Sequence, residues 1–172
     1  IKGIDILLHA INNLKDRHEL KNIKFVIMGV DFGFQEQMFQ MIDQLNIKGQ
    51  IHVIKNPSRD DVIAAYNESE FLVLPSRWEL SPLTPLEGFA FKKPVISTNV
   101  HGIPFTITNG ENGILVEDED YVGLANAILE LVNDKKKCME FGLSGFNLVQ
   151  NECNTKSMVE KIMKIYVQTV NR

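Results

Sequence analysis

The sequence predicts an α/β domain: a parallel sheet with helices packed on it. Short apolar runs of strand length alternate along the chain with segments whose apolar residues recur at helical spacing. Glycine, proline or asparagine follows most of these runs, as tight strand-to-helix turns require. The 172 residues, 44% hydrophobic and 23% charged, suffice for one domain with a real core. The net charge of −4 argues against a nucleic-acid-binding domain. No apolar stretch is long enough to span a bilayer, and residues Ile1 to Asp5 do not form a signal peptide. The chain opens without Met in a segment that reads as functional, so a fragment of a longer protein is expected. Cys138 and Cys153 lack metal-ligand spacing and read as free thiols in a reducing compartment. His9, His18, His52 and His101 are scattered, without paired metal-site spacing.

Taken in order, Ile4, Leu7, Leu8, Ile11 and Leu14 mark a first helix, with Lys2 and Gly3 at or just before its start. Lys24 to Gly29 is a strand, and Gly29 permits a tight turn or close approach of a ligand. Phe34, Met38, Met41, Ile42 and Leu45 give the next helix a core-facing stripe. Ile51 to Ile54 is a strand with His52 on its less buried face, followed by the loop Lys55-Asn56-Pro57. Ser58 caps a helix with acids in its first turn, running to about Asn67. Phe71 to Leu74 and Pro94 to Thr98 are strands, and a short helix is expected over Phe105 to Thr108. Gly113 to Val116 is the last strand. Asp118-Glu119-Asp120 caps or precedes the helix Tyr121 to Val132. Lys135-Lys136-Lys137 reads as a solvated turn, with membrane-surface contact as the alternative. Two further helices are expected, around Cys138–Val149 and Thr155–Val170, the second lined by Met158, Ile162 and Ile165. Five strands alternating with helices imply right-handed crossovers.

The most informative stretch is Pro75 to Ala90, a strand-to-helix turn flanked by Glu79 and Glu87. In a parallel sheet such turns lie at the carboxyl ends of the strands, where ligands bind. Free N–H groups at a helix start favour an anion, while carboxylates accept hydrogen bonds from sugar hydroxyls. A ligand with hydroxyls beside a phosphate fits both. On spacing alone, Thr84-Pro85-Leu86-Glu87 is a capping box: Thr84 as N-cap, Pro85 first in the helix, Glu87 closing back.

Strand, Pro75-Ser76, two residues, Glu79, seven residues, Glu87, Gly88-Phe89-Ala90 and then Lys93-Pro94-Val95-Ile96 resembles the signature of retaining family 4 glycosyltransferases. Ile1-Lys2-Gly3-Ile4-Asp5-Ile6-Leu7-Leu8 resembles that family's Lys-Gly segment. Gly102-Ile103-Pro104 and Asn109 to Val116 resemble its later turns. The resemblance implies a GT-B enzyme, in which two Rossmann-like domains face each other across a cleft. Residues 1–172 would be the C-terminal, nucleotide-sugar-binding domain, a three-layer sandwich with a mostly parallel sheet, without the N-terminal acceptor domain. The parent enzyme would transfer a sugar from a nucleoside-diphosphate sugar to an acceptor hydroxyl with retention, in polysaccharide or glycoconjugate biosynthesis. By resemblance Glu79 and Lys2 are catalytic: Glu79 holds hydroxyls of the transferred sugar, and Lys2 meets the diphosphate. Glu87 holds ribose hydroxyls. Ser81, Pro82, Leu83 and Thr84 line the donor, with Leu83 and Thr84 giving N–H groups. Gly29 and the backbone at Lys55 complete the donor site. The resemblance implies no metal and no cofactor, a cytoplasmic enzyme, and peripheral contact with the inner face of the membrane.

Departures from the pattern stand out. Pro82 replaces a common glycine and has no N–H to give. Lys92 replaces a glycine at the expected helix end, and Phe105 a common glutamate. The family's donor domain has another strand before the Lys-Gly segment, in mid-sheet, and no residue here can form it, which implies a pairing gap. Two rivals are a non-catalytic binding or scaffold domain of the same fold and a nucleotide-sugar epimerase.

Overall fold

A computed structural model describes residues 2–170; Ile1 of the Lys-Gly segment and the 171–172 end of the expected domain lie outside them. Five strands alternate with helices: α1 (Ile4–Leu14), β1 (Phe25–Gly29), α2 (Gln35–Gln44), β2 (Ile51–Lys55), α3 (Arg59–Glu68), β3 (Leu72–Leu74), α4 (Thr84–Ala90), β4 (Val95–Thr98), β5 (Gly113–Val116), α5 (Tyr121–Asn133), α6 (Lys135–Asn151) and α7 (Thr155–Val170). The strand pairings are all parallel, as the α/β reading expects.

The strands form two ribbons, not one sheet. β1 pairs with β2, and β3-β4-β5 form a separate three-stranded ribbon. No ladder joins the ribbons among the described residues, so the implied pairing gap is present, and β3 has one edge open. One apolar cluster spans both ribbons, uniting α1, α2 and α5 with Phe25 of β1 and Ile96 of β4. A second, around Phe89, Val95, Ile103 and Ile107, lies under α4 and α6. Neighbouring residues of β4 point to opposite faces: Val95 enters one cluster and Ile96 the other. All four residues of β4 are buried, as expected for a strand covered on both sides. β1 is covered less completely, and Val26 is 49% exposed.

Local chemistry explains most boundaries. Ser58 and Asp61 form a reciprocal capping box at the start of α3. Asp120 accepts from the Gly123 N–H at 2.7 Å to start α5, and Asp134 accepts from the Lys137 N–H at 2.9 Å to start α6. The second cap corrects one expectation. Lys135, Lys136 and Lys137 form the first turn of α6 and are not a loop, and ion pairs with Glu70, Glu140 and Glu130 offset cations at the helix's positive end. The short helix expected at Phe105–Thr108 is a 3₁₀ turn two residues earlier, at Ile103–Phe105. Cys138 is buried and Cys153 exposed, both as free thiols; burial pushes the Cys138 thiol above its ordinary pKa. Among the described residues no helix is long and apolar enough to cross a membrane. α7 buries none of its residues. Met158, Val159, Ile162, Met163, Tyr166 and Val170 are exposed along one side of it.

Candidate functional site

The start of α1, the turn after β3 and the loops after β4 and β5 meet at the carboxyl ends of the β3-β4-β5 ribbon. Gly3 brings the first two together. It has a left-handed φ of 63°, and a Cβ there would lie 1.7 Å from the Pro75 carbonyl oxygen, so only glycine lets α1 begin against this turn. Gly102 does the same from the other side. Its N–H donates to the Glu79 carbonyl at 2.9 Å, and a Cβ would strike the Leu80 carbonyl at 1.7 Å. The Thr98 hydroxyl donates to the Ser76 carbonyl and the Ser97 hydroxyl to that of Leu74. The turn is therefore fixed by backbone contacts on both flanks.

Two carboxylates are held on this frame. Glu79 Oε1 accepts from Lys2 Nζ at 2.6 Å and from the Ser76 hydroxyl at 2.8 Å. Oε2 has no protein partner among the described residues. The Glu79 side chain is 12% exposed and that of Lys2 65%, so the carboxylate is set and the ammonium lies in solvent. Glu87, exposed on α4, accepts from the Tyr66 hydroxyl at 2.8 Å through Oε2.

Glu87 is thus not a cap. α4 has Leu83 as its N-cap, in helical dihedrals and with no side-chain capping bond. Thr84 is already helical, whereas an N-cap side chain needs extended backbone. The N–H groups of Leu83 and Thr84 have no loop or side-chain acceptor among the described residues. Ser81 is exposed and Pro82 buried.

The residues assigned from the first half of the chain lie at the ends of β1 and β2. Gly29 accepts from the Asn56 N–H at 3.0 Å through its carbonyl, tying the two loops together. Lys55 lies over the Phe39 ring, 4.9 Å from its centroid. Beyond Gly29, Asp31 accepts from the N–H groups of Gly33, Phe34 and Gln35. These bonds, that from Gly33 foremost, hold the Asp31 carboxyl below its ordinary pKa.

Sequence reasoning gave no role to the ion cluster beside the site. Arg77 donates from Nη1 and Nη2 to the Asp5 carboxylate at 2.8 and 2.7 Å, and from Nε and Nη2 to Glu119. Glu119 sits at a left-handed φ of 61°. The hydrogen bond from Arg77 is the chief cause holding Asp5 and Glu119 below their ordinary values. Trp78 and His101 form a tilted aromatic pair 5.9 Å apart. Asp5, Ser76 and Arg77 lie inside the recognisable segments, but the Asp5–Arg77 and Tyr66–Glu87 pairings join residues 72 and 21 positions apart and carry no local signal.

The family model described as "Glycosyl transferases group 1" matches residues 1–148. A glycosyltransferase of Methanocaldococcus jannaschii described as uncharacterized is 31% identical over 147 residues, covering 84% of this chain and 38% of its own. The sucrose-phosphate synthase of Thermosynechococcus elongatus superposes with a TM-score of 0.86 at 23% identity, over 99% of this chain and 43% of that one. HepE of Anabaena, solved with UDP-glucose, superposes with a TM-score of 0.84 at 18% identity, over 97% of this chain and 45% of that one. The chain spans about two fifths of the length of the curated relatives it matches.

Proposed function

Because this chain belongs to the group 1 glycosyl transferases, we propose that it is the donor-binding half of a GT-B enzyme that transfers a sugar from a nucleoside-diphosphate sugar to an acceptor hydroxyl with retention. The Lys2–Glu79 pair carries this reading: a carboxylate and an ammonium 2.6 Å apart, from segments 77 residues distant, at the carboxyl ends of the strands. A bare carboxylate would repel a diphosphate; with Lys2 beside it the pair is neutral and can take hydroxyls on one side and phosphate on the other. Glu79 Oε2 accepts from the hydroxyls of the transferred sugar. Lys2 and the N–H groups of Leu83 and Thr84 face the charge that develops on the leaving diphosphate, which is electrostatic transition-state stabilisation. Glu87 takes the ribose hydroxyls, and the loops at Gly29 and Lys55 receive the base. HepE, which shares the fold, was solved with UDP-glucose bound, and this supports a nucleotide-sugar donor here.

An N-terminal domain of the same parent chain supplies the acceptor site and the other wall of the cleft. The uncovered apolar side of α7 is in keeping with a further domain packing there. We place the parent in the cytoplasm, in peripheral contact with the membrane.

A thermal-shift screen of uridine and guanosine diphosphate sugars tests the reading. A donor at a hundred times its dissociation constant stabilises by about 2.7 kcal/mol. The melting temperature should rise with one nucleotide class, and Glu79→Gln or Glu87→Gln should abolish the rise. The chain alone should not transfer sugar from a radiolabelled donor. A flat screen, or shifts unchanged in both variants, would sink the proposal.

A further inference from the structure

We propose that Tyr66 is the positioning residue for Glu87: its phenol holds one carboxylate oxygen so that the other is presented to the ribose. This rests on the assignment of Glu87 to the donor made above. α3 has no fully buried residue, yet Tyr66, in its last turn, is half-buried against α4. Its ring stacks on Phe91, with centroids 5.2 Å apart and planes at 18°, while its hydroxyl donates to Glu87 Oε2 at 2.8 Å. Glu87 and Phe91 are four residues apart and share one face of the α4 turn. The tyrosine therefore lies along that face, braced at the ring by Phe91 and bonded at the tip to Glu87.

An exposed glutamate on a helix otherwise samples several rotamers, and a ligand that needs one of them must immobilise it. Holding that rotamer in advance is worth roughly two- to tenfold in affinity. The phenol engages Oε2 alone, and Oε1 has no protein partner among the described residues, so acceptor capacity remains for a hydroxyl. Burial, with the neighbouring Glu87 adding to it, keeps the phenol protonated well above its ordinary pKa. It stays a donor through the neutral range.

The test is calorimetric titration of this chain with UDP, GDP and their 2′,3′-dideoxy counterparts. The proteins are the wild type and the variants Tyr66→Phe, Glu87→Ala and the double variant. Tyr66→Phe keeps the stacked ring, and its melting temperature verifies the fold. The expected result is a two- to tenfold weaker diphosphate in Tyr66→Phe, no change for the dideoxy form, and no added loss when Glu87 is already alanine. If Tyr66→Phe binds like the wild type, or weakens both nucleotide forms equally, Tyr66 is only packing and the inference fails while the donor reading stands. If no nucleotide binds the wild type, or Glu87→Ala binds unchanged, the assignment of Glu87 fails and the inference with it.

Discussion

One guanidinium ties three segments together. Arg77 grips Asp5 at the start of α1 and Glu119 after β5, while its own turn carries Glu79. The Arg77 and Asp5 side chains are 31% and 33% exposed, so solvent screens part of the attraction, and Arg77→Ala should cost about 1–2 kcal/mol. Its pH dependence has a definite sign. Asp5 is held below its ordinary 3.8, first by the hydrogen bond from Arg77. A depressed folded value contributes stability that is present above the ordinary value and lost as pH falls through the folded one. Chemical denaturation of the wild type should therefore show stability falling as pH drops below about 4, with a shallower fall in Arg77→Ala. Equal slopes would mean that the pair is not what titrates. None of this was legible in sequence, because Asp5 and Arg77 lie 72 residues apart and neither breaks a local pattern. Glu79 and Glu87 were legible as a spaced pair. The partner of Glu87 was not: the same spacing suits a cap, and the helical dihedrals of Leu83, with no side-chain capping bond, decide against it.

Between elements, α4 and the turn that ends it fit closely against α6. A Cβ on Gly142 would lie 2.0 Å from the Lys92 carbonyl oxygen, and one on Gly145 2.2 Å from the Phe89 ring. Glycine within a helix normally costs about 1 kcal/mol against alanine, so each position forgoes helix propensity for close packing. Gly142 meets backbone, which cannot swing aside. Gly142→Ala should destabilise by about 1–3 kcal/mol, seen as a lower thermal midpoint. Gly49→Ala, with nothing within 4 Å of the added carbon, should be near neutral. Equal midpoints for the two would refute this packing account. The helices themselves were legible from apolar spacing and from the caps at Ser58 and Asp120. The start of α6 was not, since three lysines suggest a solvated loop until Asp134 is seen to cap them. Lys92, at a left-handed φ of 58°, shows why a glycine is expected at that helix end.

Over the whole molecule, alternation of strand and helix was readable because each element carries its own period, whereas strand pairing joins residues far apart. Among the described residues the two ribbons share a core but no ladder, so their backbone hydrogen bonds need not open together. Amide hydrogen exchange should protect β4 most strongly, since it is buried throughout and paired on both sides. β1 and β2 should exchange through a separate, lower-energy opening. One common opening energy for all five strands would contradict this. The last helix has a different consequence. With Ile162, Tyr166 and Val170 on one flank and Glu160, Lys164 and Gln168 on the other, α7 is chemically a surfactant about 24 Å long. Adsorption to plastic, capture by detergent micelles or foaming of the purified chain would then express this single rod, with no misfolding in the body that carries it.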